Sequence, residues 1–253
     1  MDIATFGGLI VGVGAVVVAF LMEGGRLSAL FHIPAMVLVI FGTIGAATIT
    51  TSIRTLTNVP TLIKIAFSRQ YLDTIALIDQ IVSLAEKARR EGILGLEKHL
   101  DSIANPFFRK AVQLVIDGTE VTQLRNIMET EVAYMSERHK TGILFFQKLG
   151  GFSPTLGIIG TVLGLIHALS RVDDASKIAG AIAGAFIATL WGIAMANLCY
   201  LPISDKLRYR HQQESRQHEL IIEGMVSLQS GENPRIIRNK LLTYINPKQR
   251  NQD

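Results

Sequence analysis

Two threonines, Thr161 and Thr189, stand inside long apolar stretches, each within a ladder of small residues. At about 100° per residue, Gly157, Thr161, Gly164 and Ala168 fall along one side of a helix. Ala185, Thr189, Gly192, Ala196 and Cys199 do the same on a second helix. Small residues at such spacing let backbones approach closely, which is how helices associate where lipid removes the hydrophobic drive. A hydroxyl on that wall can supply an oxygen to a hard cation. It can equally return to the carbonyl one turn back and serve packing alone. The Gly180-x-x-x-Gly184 pair adds little by itself.

What these stretches lack is equally informative. A protein that moves ions through a bilayer usually places an acid there, and neither stretch contains an internal Asp or Glu. If the chain conducts, the carboxylate comes from another polypeptide, and the Thr-bearing walls are the surface that receives it. Two prolines, Pro154 and Pro202, lie at the ends of the stretches that topology puts on one membrane face. Each removes a helix hydrogen bond and can bend the chain; as a helix start and a helix stop they need no further role.

Enzyme chemistry finds no footing. The glycines of GGLIVGVGAV fall inside an apolar run with no Lys-Ser/Thr after them, so they form no phosphate loop. Glu137 and His139 lack metal-ligand spacing, and the six histidines are scattered singly. His167, near the end of its stretch, is a functional candidate as an ionisable group in a span, but its place a turn from the outer surface favours an interfacial histidine. Cys199 is the lone cysteine, which excludes an intramolecular disulfide framework. The expectation is no enzyme, no cofactor and no metal site.

The positioning elements follow from how apolar residues are distributed. The chain has 253 residues, 49% of them hydrophobic, with mean hydropathy +0.34. They cluster in four blocks, Ile3–Met22, Phe31–Ile53, Leu144–Leu169 and Ile178–Ile203, each long enough for the roughly 20 residues of a spanning helix. The first block begins at an acidic Met1-Asp2 and lacks a small-residue cleavage pattern, so it reads as a span rather than a signal peptide. Net charge is +4, but the excess lies mostly between Lys206 and Arg250, with no aromatic-interleaved basic patch, which argues against nucleic acid. The connections at 23–30 and 170–177 are short and nearly charge-balanced. The segment 54–142 and the tail 204–253 carry almost all the Lys and Arg, so the positive-inside rule places both, and both termini, in the cytoplasm.

The expected fold is an all-α integral membrane protein. It has transmembrane helices 1 and 2 in 1–53, a helical cytoplasmic domain in 54–142, helices 3 and 4 in 143–203, and a helical tail in 204–253. Ile75, Ile78, Ile81, Val82 and Ala85 recur at helical spacing up to Gly92. Asn105 and Pro106 open a helix that stops at Gly118. The amphipathic run from Thr122 continues toward the third span, and a short helix follows Pro234.

PTLGIIGTVLGLIHALSRVDD followed by AFIATLWGIAMANLCYLPISDKLR resembles spans three and four of the flagellar stator subunit family, motility protein A (MotA, and PomA in sodium motors). ARREGILGLEKHL, ERHKTG and IIEGMVSLQSGENPRIIRNKLLTYI extend the likeness over nearly the whole chain. The resemblance implies a bacterial inner-membrane homopentamer around two copies of a single-span, peptidoglycan-binding partner, motility protein B, whose span supplies the Asp. It implies that Arg89 and Glu97, with Arg90 beside them, engage the rotor protein FliG. The same pattern on its own is a solvated helix face. Pro154 and Pro202 match the prolines that couple ion flow to movement, and Thr189 matches a threonine lining the ion path. Thr161 resembles sodium-driven members, whereas Ala188 resembles proton-driven ones; the balance favours Na+ over H+. Two alternatives stand beside this one: an ExbB/TolQ-like energiser of outer-membrane transport, and a non-conducting scaffold in which Thr161 and Thr189 only pack.

Overall fold

Asp2 opens the first helix by accepting the N–H groups of Ala4 and Thr5 at 3.1 and 3.4 Å, which satisfies two amides that a helix start otherwise leaves unpaired. The computed structural model describes residues 2–68, 73–170 and 175–245. Along the chain run α1 (Ile3–Met22), the single turn α2 (Leu27–Leu30), α3 (Ile33–Ile49), α4 (Ile53–Phe67) and α5 (Thr74–Glu91). A 3-10 segment (Ile93–Ser102) leads to α6 (Pro106–Ile116) and α7 (Val121–Leu169), then α8 (Ala175–Ala194). A π-helical segment (Met195–Tyr200), α9 (Leu201–Gln229) and α10 (Pro234–Leu242) complete it. No strand occurs among the described residues.

Several boundaries have local causes. Gly92 ends α5 at φ +82°, where a side chain would be strained. Asn105 Oδ1 accepts from Phe107 and Phe108 at 2.9 and 3.1 Å, with Pro106 in the first turn of α6. Asn233 and Pro234 repeat that start for α10. α7 runs for 49 residues, so the helix that opens at Val121 continues into the third apolar stretch.

The second apolar block is shorter than its sequence suggests. Expected over Phe31–Ile53, it forms a helix only from Ile33 to Ile49, 17 residues. Pro34 sets the start. At the other end Thr50 turns its hydroxyl back to the Ala47 carbonyl at 2.9 Å, and Ser52 meets the Thr55 hydroxyl at 3.1 Å, so side chains in TITTS compete with the ladder. Among the described residues, three helical runs are long and apolar enough to cross a bilayer: Ile3–Met22, Val121–Leu169 and Ile178–Gln229. Ile33–Ile49 is apolar but shorter. Of the expected 170–177 connection, 171–174 lie outside the described residues, as do 246–253 of the tail.

The chain divides into two compact units. The first comprises Met1–Arg69 and His139–Tyr209, and gathers the apolar helices with α4. Ala47, Ala66, Phe145, Phe146 and Leu149 form its core. Polar bonds lock it: the buried Ser204 Oγ donates to the Ile143 carbonyl at 3.0 Å, and Lys148 Nζ, at the surface, donates to the Thr50 carbonyl at 3.1 Å. α3 buries Ala35, Val39, Thr43 and Ala47, one face at a spacing of four, and lies along α8. Much of the rest is open apolar surface, including Ile10, Val11, Phe41 and Phe186. A surface of that kind calls for lipid or another chain.

The second unit comprises Gln70–Arg138 and Arg210–Asp253. Ile81, Leu96, Phe108, Leu124, Met225 and Leu241 are fully buried in its core, each contributing about 1.5–3 kcal/mol by leaving water. Gly224 brings α9 onto α5: a Cβ there would stand 2.8 Å from Ile81 Cγ2. Above this core Glu223 receives Arg125 at 2.9 Å and Lys240 at 2.5 Å. Burial raises the Glu223 pKa, but the bonds from Lys240 and Arg125 outweigh it and hold the carboxyl below its ordinary range.

Candidate functional site

The small-residue ladders of α7 and α8 meet each other. A Cβ on Gly157 would lie 2.9 Å from the Ala188 carbonyl oxygen and 3.2 Å from the Cα atoms of Gly192 and Thr189. Gly160 faces the Ala188 methyl, and Gly164 faces Ala185. Backbone therefore packs on backbone, which only these residue sizes allow. Ala196, one turn past Gly192, is also buried. The ladders are thus largely used up in joining α7 to α8. What remains open on the two helices is a different face, with Ile158, Val162, Phe186 and Ile193 exposed.

The threonines lie half-buried within this seam, and their hydroxyls touch. Thr161 Oγ1 is also 3.0 Å from the Ala185 carbonyl and 3.2 Å from the Gly157 carbonyl. One hydroxyl hydrogen cannot serve three acceptors at once. The result is a cluster of four oxygens carrying little positive charge, inside otherwise apolar walls. Both packing and cation contact remain chemically open to it.

Pro154 and Pro202 are neither a helix start nor a helix stop. Each lies inside continuous helix. Pro154 denies the Gly150 carbonyl its donor, while the neighbouring Ser153, fully buried, donates across to the Gly192 carbonyl at 2.9 Å. Before Pro202 the ladder slips by one residue: the Leu201 N–H reaches the Ala196 carbonyl across the π-helical segment.

Residues that the sequence left unremarked complete the unit. Ser153 extends the Gly157 ladder by one turn, a signal present in its spacing. Trp191 Nε1 donates to the Leu30 carbonyl at 2.8 Å and ties the α2 turn to α8. His32 lies against Gly184, its Nε2 2.8 Å from where a Cβ would stand. A cavity of about 400 Å³ opens between His32, Leu38, Gly160, His167, Ala181 and Ala188. Nothing in the local sequence pairs Trp191 with Leu30 or His32 with Gly184; these are tertiary contacts.

Arg89, Arg90 and Glu97 belong to the second unit. Arg89 and Arg90 lie in the last turn of α5, where cations complement the helix dipole. Glu97 lies on the 3-10 segment that follows. All three are exposed, and Leu94 between them is 73% exposed. None of the three charged groups pairs with another group among the described residues. Along the chain these exposed charges flank an exposed leucine.

Comparison with known proteins follows the same lines. Residues 6–92 match the family model for the motility protein A N-terminal region, and residues 99–220 match the MotA/TolQ/ExbB proton channel family. The chain is 34% identical to motility protein A of Borreliella burgdorferi over 252 residues, covering 100% of this chain and 97% of that one. It is 36% identical to motility protein A of Bacillus subtilis, covering 99% and 93%. Against the chemotaxis protein PomA of Vibrio alginolyticus the identity is 33%, covering 99% and 98%. The fold superimposes on C. jejuni MotAB with a TM-score of 0.93 at 28% identity, covering 98% and 97% of the two chains. It superimposes on the flagellar MotAB stator complex from Bacillus subtilis at 0.92 and 35%, covering 97% and 96%. Apolar helices joined by a glycine seam, a helical second unit and matches along the full length lead to one conclusion: the chain belongs to the motility protein A family.

Proposed function

We propose that the chain is a flagellar motor stator subunit of the bacterial inner membrane, which couples inward cation flow to torque. In this reading Ile33–Ile49 is the fourth span, at the short end of the range that can cross a bilayer. The segment 54–142 and both termini face the cytoplasm. Five copies surround two copies of a single-span partner of the motility protein B type. The observation that carries the reading is the oxygen cluster at Thr161 and Thr189 in apolar stretches, 144–169 and 178–203, without an internal carboxylate. Such stretches offer ligands but no acid, so an Asp on the partner completes the path. The transmembrane potential supplies about 2.3 kcal/mol per charge per 100 mV, several RT for each step. The exposed Arg89, Arg90 and Glu97 then work against FliG on the rotor.

Sodium is the favoured ion. Thr161 and Thr189 bring hydroxyl oxygens together with the Ala185 carbonyl, which suits a cation that exchanges water oxygens for protein oxygens. Protons form the second reading, favoured by alanine at 188, where the resemblance puts a second threonine in sodium-driven members, and by the family described as a proton channel. The match of residues 6–92 to the motility-type N-terminal region supports the flagellar reading over an ExbB/TolQ-like energiser. The test is swimming speed of a stator-less host carrying this chain and its partner, across external sodium and with a protonophore. Speed that follows sodium and survives the protonophore is expected. Speed that ignores sodium and collapses with the protonophore replaces sodium by protons, and co-purification without any single-span partner returns the scaffold.

A further inference from the structure

The start of α9 is fixed at a joint centred on Asp2. Besides capping α1, Asp2 places its Oδ2 2.6 Å from Lys206 Nζ, and its backbone N–H donates to the carbonyl of Phe67, the last residue of α4, at 3.1 Å. The rings of Phe6 and Phe67 pack beside it with centroids 5.1 Å apart. The two charged side chains are only 18% and 20% exposed, so water screens this pair less than an open surface bridge. The Lys206 bond, together with the Thr5 and Ala4 amides, holds the Asp2 carboxyl below its ordinary range. Three elements, α1, α4 and α9, converge on one carboxylate residue.

Lys206 stands one turn beyond Pro202, and Ser204 between them is pinned on another side by its buried bond to the Ile143 carbonyl. Immediately before them the helix is soft. The π-helical segment has slipped register, Pro202 gives no N–H, and a cavity of about 430 Å³ adjoins it, bounded by Gly8, Leu9, Ala66, Asn197, Pro202 and Lys206. A force arriving along α8 can be absorbed there by bending into the cavity. The joint bypasses that soft stretch, because it ties α9 beyond it directly to α1 and α4. We propose that Asp2 and Lys206 are positioning residues for torque: their ion pair makes displacement of the apolar helices drag α9 along instead of dissipating at the π-helical segment. This role rests on the stator reading above.

The test uses the full complex in a stator-less host, with bead rotation giving the speed step per unit and a fluorescent tag giving the number of units. D2N keeps the cap but removes the charge, since Asn caps as well as Asp; K206Q removes the other charge, and K206R keeps it. Expected are speed steps reduced about two-fold or more under high load in D2N and K206Q, with unit numbers unchanged, no further loss in the double variant, and recovery in K206R. Wild-type steps in both single variants, losses that only follow fewer units, or losses that add in the double variant overturn the proposal. Hydrogen exchange of residues 201–206 in the purified complex reads the joint without a motor. D2N should raise exchange there, and no rise overturns the joint even where rotation falls. A wild-type chain that turns no motor while D2N does raise that exchange overturns the stator reading and the torque role, and leaves the joint itself standing.

Discussion

Gly157 and Gly192 touch backbone to backbone: a Cβ on Gly157 would stand 3.2 Å from Gly192 Cα, and one on Gly192 would stand 2.9 Å from Gly157 Cα and 2.8 Å from the Ser153 carbonyl oxygen. The atoms met are main chain, so no side-chain rotation relieves them. Alanine gains about 1 kcal/mol of helix propensity over glycine, but overpacking a rigid contact costs about 1–3 kcal/mol. Gly157→Ala and Gly192→Ala should therefore lower the thermal midpoint of the purified protein, whereas Gly151→Ala, with open space around it, should not. Equal midpoints for all three would mean the seam yields more readily than its geometry implies.

Thr161 presents its oxygen to two carbonyls and to Thr189. Removing it by Thr161→Ala takes one oxygen from the cluster and leaves the Thr189 hydroxyl nearer apolar neighbours. Thr161→Ser keeps the oxygen. The alanine variant should need more sodium for half-maximal swimming at unchanged protein level, and the serine variant should stay near wild type. Should both variants follow the wild-type sodium curve, the hydroxyl only packs.

Local signals wrote much of this fold plainly. Asn105-Pro106, Asn233-Pro234 and Gly92 bound their helices because capping depends on a few neighbouring residues. The ladders of Gly157 and of Gly192 were each visible as spacing. Their pairing was not, since periodicity names a face without naming what lies against it. The ladders fitted either close helix packing or a surface for another chain, and α7 and α8 use them on each other. Pro202 was visible as a helix breaker, but a breaker at the end of a span and one inside a longer helix look the same locally. Asp2 meeting Lys206, and Trp191 meeting Leu30, join residues far apart in the chain; neither has a local signature.

Glu223 links pH to the second unit. Its carboxyl is depressed in the folded chain, so the unfolded chain binds its proton more readily. The stabilisation is fully present above the ordinary carboxyl range and is lost as pH falls through that range toward the depressed folded value. Thermal midpoints of the wild type should fall from about pH 5 downward. Glu223→Gln should start lower at neutral pH, because Arg125 and Lys240 lose a shared, largely buried partner, and should lose less on acidification. A variant with the full wild-type acid slope would assign that slope to other carboxylates.

Pro154 lies inside α7 beside Ser153, whose hydroxyl holds the Gly192 carbonyl. Pro154→Ala returns an N–H to the Gly150 carbonyl and stiffens α7 where it meets the seam. The variant should keep its partner through purification and melt no lower than wild type, yet drive little rotation. Normal torque would show that α7 works without its missing bond.

Arg89 and Glu97 are exposed, and substitution there leaves the second unit's core untouched. Arg89→Glu should therefore leave the thermal midpoint within about 0.5 kcal/mol equivalent of wild type while swimming falls. The loss should depend on charge rather than size, so Arg89→Lys should retain most motility. On the proposed rotor contact, reversing an acidic rotor residue should restore swimming to Arg89→Glu, because two reversed charges attract as an Arg–acid pair does. If no rotor reversal restores it, while Arg89→Gln is as poor as Arg89→Glu, the guanidinium acts through its hydrogen-bonding shape rather than as a point charge.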